Sequence, residues 1–352
     1  MASGRPVRIS AVMATHRGRA FLDDQFRSIV EQTRPPDEMV ICDDRSEDGT
    51  IDAAYEFAAK APFPVLVTQN ADRTGTNGAF EHALRLARGD LIALADQDDV
   101  WEPGKLARLE RALLEHPEAL LAFSDVTTID AAGAQLGPFG ENPWRQDRAT
   151  REVLNGPALE LLMGRPQACG MSMLFRRAVL DRALPFSPGG RPSQSFVEAP
   201  LLHDRWIGLA AASAGPLVYV NEDLVRFRRH PTQRSAPGVG QFDSLQAENP
   251  RPLPGKSSRS LLPRRVGEGV LLALAPLLEN TCARLRELDN EAVTRLPLQM
   301  AEERLELIRL RLSLPDARAK RIGPIWRLLR RGVYRRHSRG AYSALADAIG
   351  WR

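Results

Sequence analysis

The sequence predicts an α/β fold: a mostly parallel sheet with flanking helices, followed by a helical C-terminal region. Three observations carry that expectation. Short apolar runs alternate with helix-spaced runs from Val7 to Ala95. Each of the first four apolar runs ends on polar or ionisable residues. Beyond a polar, Pro-rich stretch, only helix-spaced patterns remain.

Val7 to Met13 reads as the first strand, and Leu22, Phe26 and Ile29 then recur at helical spacing. Met39 to Cys42 is a second strand. Ser46 to Thr50 opens a helix that includes Tyr55 and Phe57. Val65 to Val67 and Leu91 to Ala95 are the third and fourth strands, with the helix of Phe80, Leu84 and Ala87 between them. Pro103 suits a first helical turn, and Leu106, Leu109 and Leu113 give the following helix one apolar face. Leu120 to Phe123, Gly170 to Phe175 and Leu217 to Val220 are further strands. Ala131 to Arg151 and Pro185 to Pro200 read as loops, Leu159 to Met163 as a short helix, and His203 opens a longer one. The organisation expected is a catalytic domain over 1–235, a linker over 236–263 and a helical region over 264–352. Helices are expected at Val270 to Leu288, Ala292 to Leu312 and Ala319 to Ile349.

The strand ends matter most. Thr15-His16-Arg17 follows the first strand, Asp43-Asp44 the second, Gln69-Asn70 the third and Asp96-Gln97-Asp98-Asp99 the fourth. In open α/β sheets ligands bind outside the carboxyl ends of the strands. Three carboxylates crowded at one strand end repel one another. A hard divalent cation bound through oxygen relieves that repulsion and can neutralise a diphosphate leaving group.

Composition narrows the class. Of the residues, 43% are apolar and 26% charged, ordinary for a globular chain. The three cysteines, Cys42, Cys169 and Cys282, form no C-x-x-C pair, so neither zinc nor a disulfide framework is indicated. An N-terminus without an apolar core, and no later stretch long enough to span a bilayer, fit a cytoplasmic setting. From Ala236 onward there are 21 Lys and Arg against 12 Asp and Glu, a surplus of +9 that leaves −5 for the rest. An acidic body with a basic tail points to different partners for the two parts. In the tail, Ile322, Ile325, Trp326, Leu329 and Val333 share one helical face among many arginines. Such a helix can lie on a membrane surface or pack its apolar face on the catalytic domain.

Four segments together resemble family 2 glycosyltransferases. Asp43-Asp44-Arg45-Ser46-Glu47-Asp48-Gly49-Thr50 is similar to the family's D-D-x-S-x-D-G-T segment. Asp96-Gln97-Asp98-Asp99-Val100-Trp101, followed by Lys105-Leu106, resembles the D-Q-D-D-x-W…K-L form of rhamnosyltransferase-like members. His203-Asp204-Arg205-Trp206 is similar to their H-D-x-W, and Phe227-Arg228-Arg229-His230 to the closing Y-R-x-H. The resemblance covers Val7 to Ser235 in order and spacing. It implies a GT-A fold, a nucleotide-diphospho-sugar donor linked to UDP or dTDP, Mg2+ or Mn2+, and an inverting transfer. The acceptor implied is a saccharide or lipid-linked saccharide in surface polysaccharide synthesis, and no nucleic acid is implied. The chain departs from the pattern in two places. Ala79-Phe80-Glu81 stands where Asn-Phe-Glu is common, with Asn77 nearby, and Gln233 stands where an Asn often follows the last motif.

The resemblance distributes roles. Asp43 and Asp44 would accept from the N–H of a uracil or thymine, with Thr15 at the base or ribose and Arg17 and Asn77 also on the donor. Asp96 would meet the ribose or the metal shell, Asp98 the metal, and His230 the metal or the diphosphate together with Arg228 or Arg229. Asp204 would be the general base, with His203 as the alternative. Two other readings stay open: a sugar-nucleotidyltransferase, and a non-catalytic protein that binds nucleotide sugars.

Overall fold

The computed structural model describes residues 6–138, 169–186, 203–233, 291–314 and 318–337, with a few helical positions besides. The short helix expected over Leu159 to Met163, the linker, and most of the loops at 131–151 and 185–200 lie outside the described residues.

The first half follows the alternation read from the sequence. β1 (Ile9–Thr15), α1 (Leu22–Val30), β2 (Glu38–Asp43), α2 (Thr50–Ala58), β3 (Val65–Gln69), α3 (Gly75–Leu86) and β4 (Leu91–Ala95) succeed one another. β1 pairs in parallel with both β2 and β4, and β2 with β3. Every residue of β4 is buried, as expected for a strand covered on both faces. Gly49 precedes α2 at φ 85°, a left-handed turn that glycine makes without a Cβ penalty.

The second half is mixed rather than parallel. β5 (Val100–Trp101), α4 (Lys105–Glu115), β6 (Leu121–Ile129), β7 (Gln135–Pro138), β8 (Met173–Arg176), α5 (Leu180–Ala183), α6 (His203–Ala214) and β9 (Leu217–Arg228) complete the unit. The sheet order is β3-β2-β1-β4-β8-β6-β9-β5, with β7 beside β6. β8 runs antiparallel to β4 and β6, while β6 and β9 are parallel. Sequence periodicity reveals a strand but not its direction, so this reversal was not legible. β6 and β9 also run well past Phe123 and Val220, because their mutual pairing continues to Ile129 and Arg228. The core is formed by Ile9, Met13, Leu22, Phe26, Ile41, Leu91, Trp101, Leu106, Leu109, Leu113 and their neighbours. Phe26 and Phe57 stack within it, ring centroids 4.1 Å apart.

The chain divides into two compact units, the first closing at His230 and the second comprising the helices beyond it. In the second unit α7 (Glu291–Leu312), α8 (Arg318–Arg330) and α9 (Val333–His337) enclose a small core of Leu307, Leu314, Ile325, Leu328, Val333 and Tyr334. The single helix expected from Ala319 to Ile349 is interrupted at Gly332, which takes φ 74°. Its N–H donates to the Leu329 carbonyl at 3.0 Å, closing α8 in the manner of a left-handed C-terminal cap. Among the described residues no helix is long and apolar enough to cross a membrane.

Candidate active site

Strand register gathers the site. Thr15 lies opposite Asp43 and Met13 opposite Ala95, so β1, β2 and β4 deliver their polar ends to one edge of the sheet. β8 starts at that edge, because Ala93 of β4 pairs with Leu174. The turn before β8 offers the N–H of Gly170 to Oδ2 of Asp204 at 3.2 Å, which fixes the start of α6 there. A Cβ on Gly170 would stand only 3.0 Å from the Asp204 Cβ, so a larger residue would crowd that approach. β9 returns beside β5, and the Arg228 N–H donates to Oδ1 of Asp99 at 3.0 Å. Two residues further, Nε2 of His230 lies 2.9 Å from Oδ2 of Asp98.

The acidic turn is electrostatically loaded. Burial, then the Asp98 and Asp204 carboxylates, push Asp96 up to about 8. Burial, then the Asp98 and Asp96 carboxylates, hold Asp99 well above the usual carboxylate range, and its Oδ2 has no hydrogen-bond partner. Lys105 is fully buried, with Nζ 3.3 Å from the centre of the Trp101 ring and no hydrogen-bond partner. Burial holds it well below the usual lysine range, against the pull of Asp99 and Asp96. Its Nζ rests on the Trp101 ring face and makes no hydrogen bond to the carboxylates of the turn.

Gln97, between the acids, joins this turn to the first loop. Its Oε1 accepts from the His16 N–H at 2.8 Å and its Nε2 donates to the His16 carbonyl at 3.0 Å. In that loop Arg17 takes φ 50° and donates its N–H to Ser46 Oγ at 2.9 Å. A non-glycine residue in this region is strained and is held by its surroundings. The Arg17 side chain is exposed and lies 3.7 Å from Glu47.

Asp43 and Asp44 are occupied by protein donors. Asp43 Oδ2 accepts from Thr15 Oγ1 at 2.8 Å and Ser46 Oγ at 2.6 Å. Its Oδ1 accepts from the Ser46 N–H at 2.8 Å and Gln69 Nε2 at 3.0 Å. A carboxylate has about four acceptor positions, so all of Asp43's are taken, and the Thr15 hydroxyl proton is committed to it. Asp44 accepts from Asn70, from the N–H and hydroxyl of Thr74, and from the Gly75 N–H. Burial pushes Asp44 up, but these bonds outweigh it and hold the group below the usual range. In this structure these groups brace the loops after β2 and β3.

Asn77 and Arg228 also take protein partners. Asn77 Oδ1 accepts from the His203 N–H at 2.9 Å, capping α6 just ahead of Asp204. The His203 ring stacks on Phe80 at 3.8 Å, and Trp206 Nε1 donates to the Ala183 carbonyl at 2.9 Å. The guanidinium of Arg228 is buried and donates to the carbonyls of Asp98 and Ala131 and to Oδ2 of Asp24, all within 3.1 Å. It clamps the acidic turn from behind. Phe21 contacts both elements of the closing motif, its ring 4.3 Å from that of His230 and 5.1 Å from the Arg228 guanidinium.

Among the described residues no three His, Cys, Asp or Glu side chains are arranged to hold a metal ion. Asp98 and His230 still fit a partial site. Two ligands about 2.1 Å from an octahedral ion, in adjacent positions, lie about 3.0 Å apart, and this pair is 2.9 Å apart. Mg2+ commonly takes one or two protein ligands and fills its sphere with water and substrate phosphate.

Sequence reasoning placed Gln69 and Asn70 at a polar strand end without a role, and missed Phe21, Asp24, Thr74 and Gly170. None stands in a quoted motif, and each joins the site through a fold contact. Gln97 and Lys105 stand inside the D-Q-D-D-x-W…K-L segment, which is the signal that could have singled them out.

A mixed sheet flanked by helices, with its polar strand ends gathered at one edge, is the architecture of the GT-A class. Residues 10–182 match the family model for Glycosyl transferase family 2, and this part of the chain is a family 2 glycosyltransferase domain. An uncharacterized glycosyltransferase of Nostoc sp. is 27% identical over 231 residues, 64% of this chain and 65% of its own. The dTDP-rhamnosyl transferase RfbG of Shigella flexneri is 31% identical over 100 residues, 27% of this chain and 34% of its own. The chain spans about half (52%) the length of the mycobacterial relatives it matches. S. aureus TarS 1–349, in complex with UDP-GlcNAc, superposes with a TM-score of 0.57 at 12% identity, covering 97% of this chain and 92% of that one, a likeness of fold.

Proposed function

We propose that the first unit is an inverting glycosyltransferase. It moves a sugar from a UDP- or dTDP-linked donor to a hydroxyl of a saccharide or lipid-linked saccharide in surface polysaccharide synthesis. The observation that carries this reading is the convergence of Asp96, Asp98, His230 and Asp204 on one sheet edge. Asp204 is near enough to raise the Asp96 carboxyl, while Asp98 touches His230.

In this reading the Asp204 carboxylate takes the proton of the acceptor hydroxyl as its oxygen attacks the anomeric carbon. The bond from that carbon to the diphosphate breaks, and its electron pair leaves with the diphosphate oxygen. Attack from the face opposite the leaving group inverts the configuration. Asn77 and Gly170 hold Asp204 for this task, since both pin the first turn of α6. Asp98 and His230 would hold Mg2+ or Mn2+, which when bound supplies positive charge at the leaving diphosphate. Asp96 lies beside them for the ribose or the metal's water. Arg17, exposed on its strained loop, is assigned to the donor, whereas Arg228 acts by fixing the acidic turn. For the base, Gln69 is the replaceable partner. It is exposed, and a ring N–H can take its place on Oδ1 of Asp43, over the shelf formed with Thr15 and Asp44.

A panel of nucleotide sugars, each with Mg2+ or Mn2+, tests the reading by ligand-induced thermal shift and donor hydrolysis. Stabilisation and slow hydrolysis by a UDP- or dTDP-linked sugar are expected. Synthesis of a nucleotide sugar from a nucleoside triphosphate, or binding without any turnover, would replace it with one of the other two readings.

A further inference from the structure

We propose that the outer face of α8 docks on an anionic phospholipid surface through Ile322, Trp326, Arg327 and Arg330. The apolar stripe read from the sequence is split by the fold. Ile325 and Leu328 are 4% and 3% exposed and belong to the core of the second unit. Ile322 and Trp326 are 60% and 55% exposed, and contribute nothing to that core. Ile322, Trp326 and Arg330 follow one another at i, i+4 spacing and so line one ridge. The Arg330 guanidinium lies 4.6 Å from the Trp326 ring centre.

Charge decides what this ridge fits. Lys320 and Arg327 are exposed on its flank, and the helix from Arg318 to Arg330 contains no Asp or Glu. Three neighbouring cations of the unit have internal partners: Arg331 pairs with Glu306, Arg311 with Asp347, and Arg321 donates to the Asp347 carbonyl. Among the described residues Lys320, Arg327 and Arg330 have no carboxylate partner. An indole and an aliphatic chain flanked by unpaired cations match a bilayer interface. There the ring sits at headgroup depth and the cations reach anionic phosphates. A protein partner fits less well. A stable interface needs about 1,000 Å² of complementary surface, and a convex ridge with two large apolar side chains offers little. A lipid surface deforms around a convex face. The inference stands on this helix alone and is independent of the transfer reaction proposed above.

The test is co-sedimentation of the full chain with phosphatidylcholine vesicles, with and without phosphatidylglycerol. Binding is expected only with phosphatidylglycerol and should weaken as salt rises. Arg327→Glu with Arg330→Glu, and separately Ile322→Ser with Trp326→Ser, should each lower partitioning about tenfold or more. Because all four side chains are exposed, the thermal midpoint should not move. Brominated phosphatidylglycerol should quench part of the tryptophan emission in the native chain and not in Trp326→Phe, a readout that loss of fold does not imitate. Equal partitioning of native and variant chains, equal binding to phosphatidylcholine alone, or a changed oligomeric state in the variants without vesicles would overturn the proposal. The last of these would mark the ridge as a contact between protein chains.

Discussion

Oδ2 of Asp98 and Nε2 of His230 meet at 2.9 Å although 132 positions separate them in the chain. The contact exists because β9 returns beside β5 and sets the closing motif against the acidic turn. Both side chains are largely buried, so the pair shields one polar atom with the other.

If that pair holds the divalent ion, Asp98→Ala should remove metal-dependent donor binding and most transfer activity. His230→Ala should weaken both by about tenfold to a hundredfold or more, since the loss of even an outer partner of a metal ligand typically costs that much. Manganese binding followed by electron paramagnetic resonance gives a readout apart from turnover. Unchanged Mn2+ affinity in Asp98→Ala would sink the assignment.

Asp204→Asn keeps size and polarity but removes the proton acceptor. Turnover should fall by about a hundredfold or more, with donor affinity nearly unchanged. Asn77→Ala should produce a smaller loss, because it frees the helix start without touching the carboxylate. Should Asp204→Asn abolish donor binding instead, the residue is a binding group and His203 becomes the stronger base.

Acid should expose the role of Asp44. Its folded-state pKa is depressed, so its contribution is fully present above the unfolded value, about 3.9. It is lost as pH falls through the lower folded value. Asp44→Ala should cost about 1–3 kcal/mol at neutral pH, since the buried Asn70 amide and the N–H groups of Thr74 and Gly75 lose a charged acceptor. The difference in stability between native and variant chains should shrink as the solution is acidified below the usual carboxylate range. Thermal unfolding followed by the fluorescence of buried Trp101 and Trp206 measures it. A difference that grows on acidification would contradict the sign.

The parallel half of the sheet and the four motifs were legible because both are written in local order: alternating apolar runs, and carboxylates at the strand ends. What the sequence withheld is non-local. Nothing around Gly170 marks it as the donor to Asp204, and nothing around Phe227 shows that Arg228 turns inward onto Asp24. The tail illustrates the same limit. Its apolar positions follow helical spacing, yet only packing separates buried Ile325 from exposed Trp326. The number of helices there was decided by Gly332, one residue within an otherwise continuous pattern.

The saturation of Asp43 leads to the last prediction. Four donors fill its acceptor positions, and three of them come from buried residues, Thr15 and Ser46. The fourth, Gln69 Nε2, belongs to an exposed side chain. A base N–H that takes this position exchanges one hydrogen bond for another, so removing Gln69 beforehand should favour binding. Gln69→Ala is therefore expected to leave UDP or dTDP affinity unchanged or raise it by a few-fold. Asp43→Asn should lower that affinity by about tenfold or more, the cost of one charge-assisted hydrogen bond of about 1.5–3 kcal/mol. Isothermal titration with the free nucleotides measures both without invoking turnover. Equal losses in the two variants would mean that Gln69 itself contacts the base, and that Asp43 serves only to brace the loop.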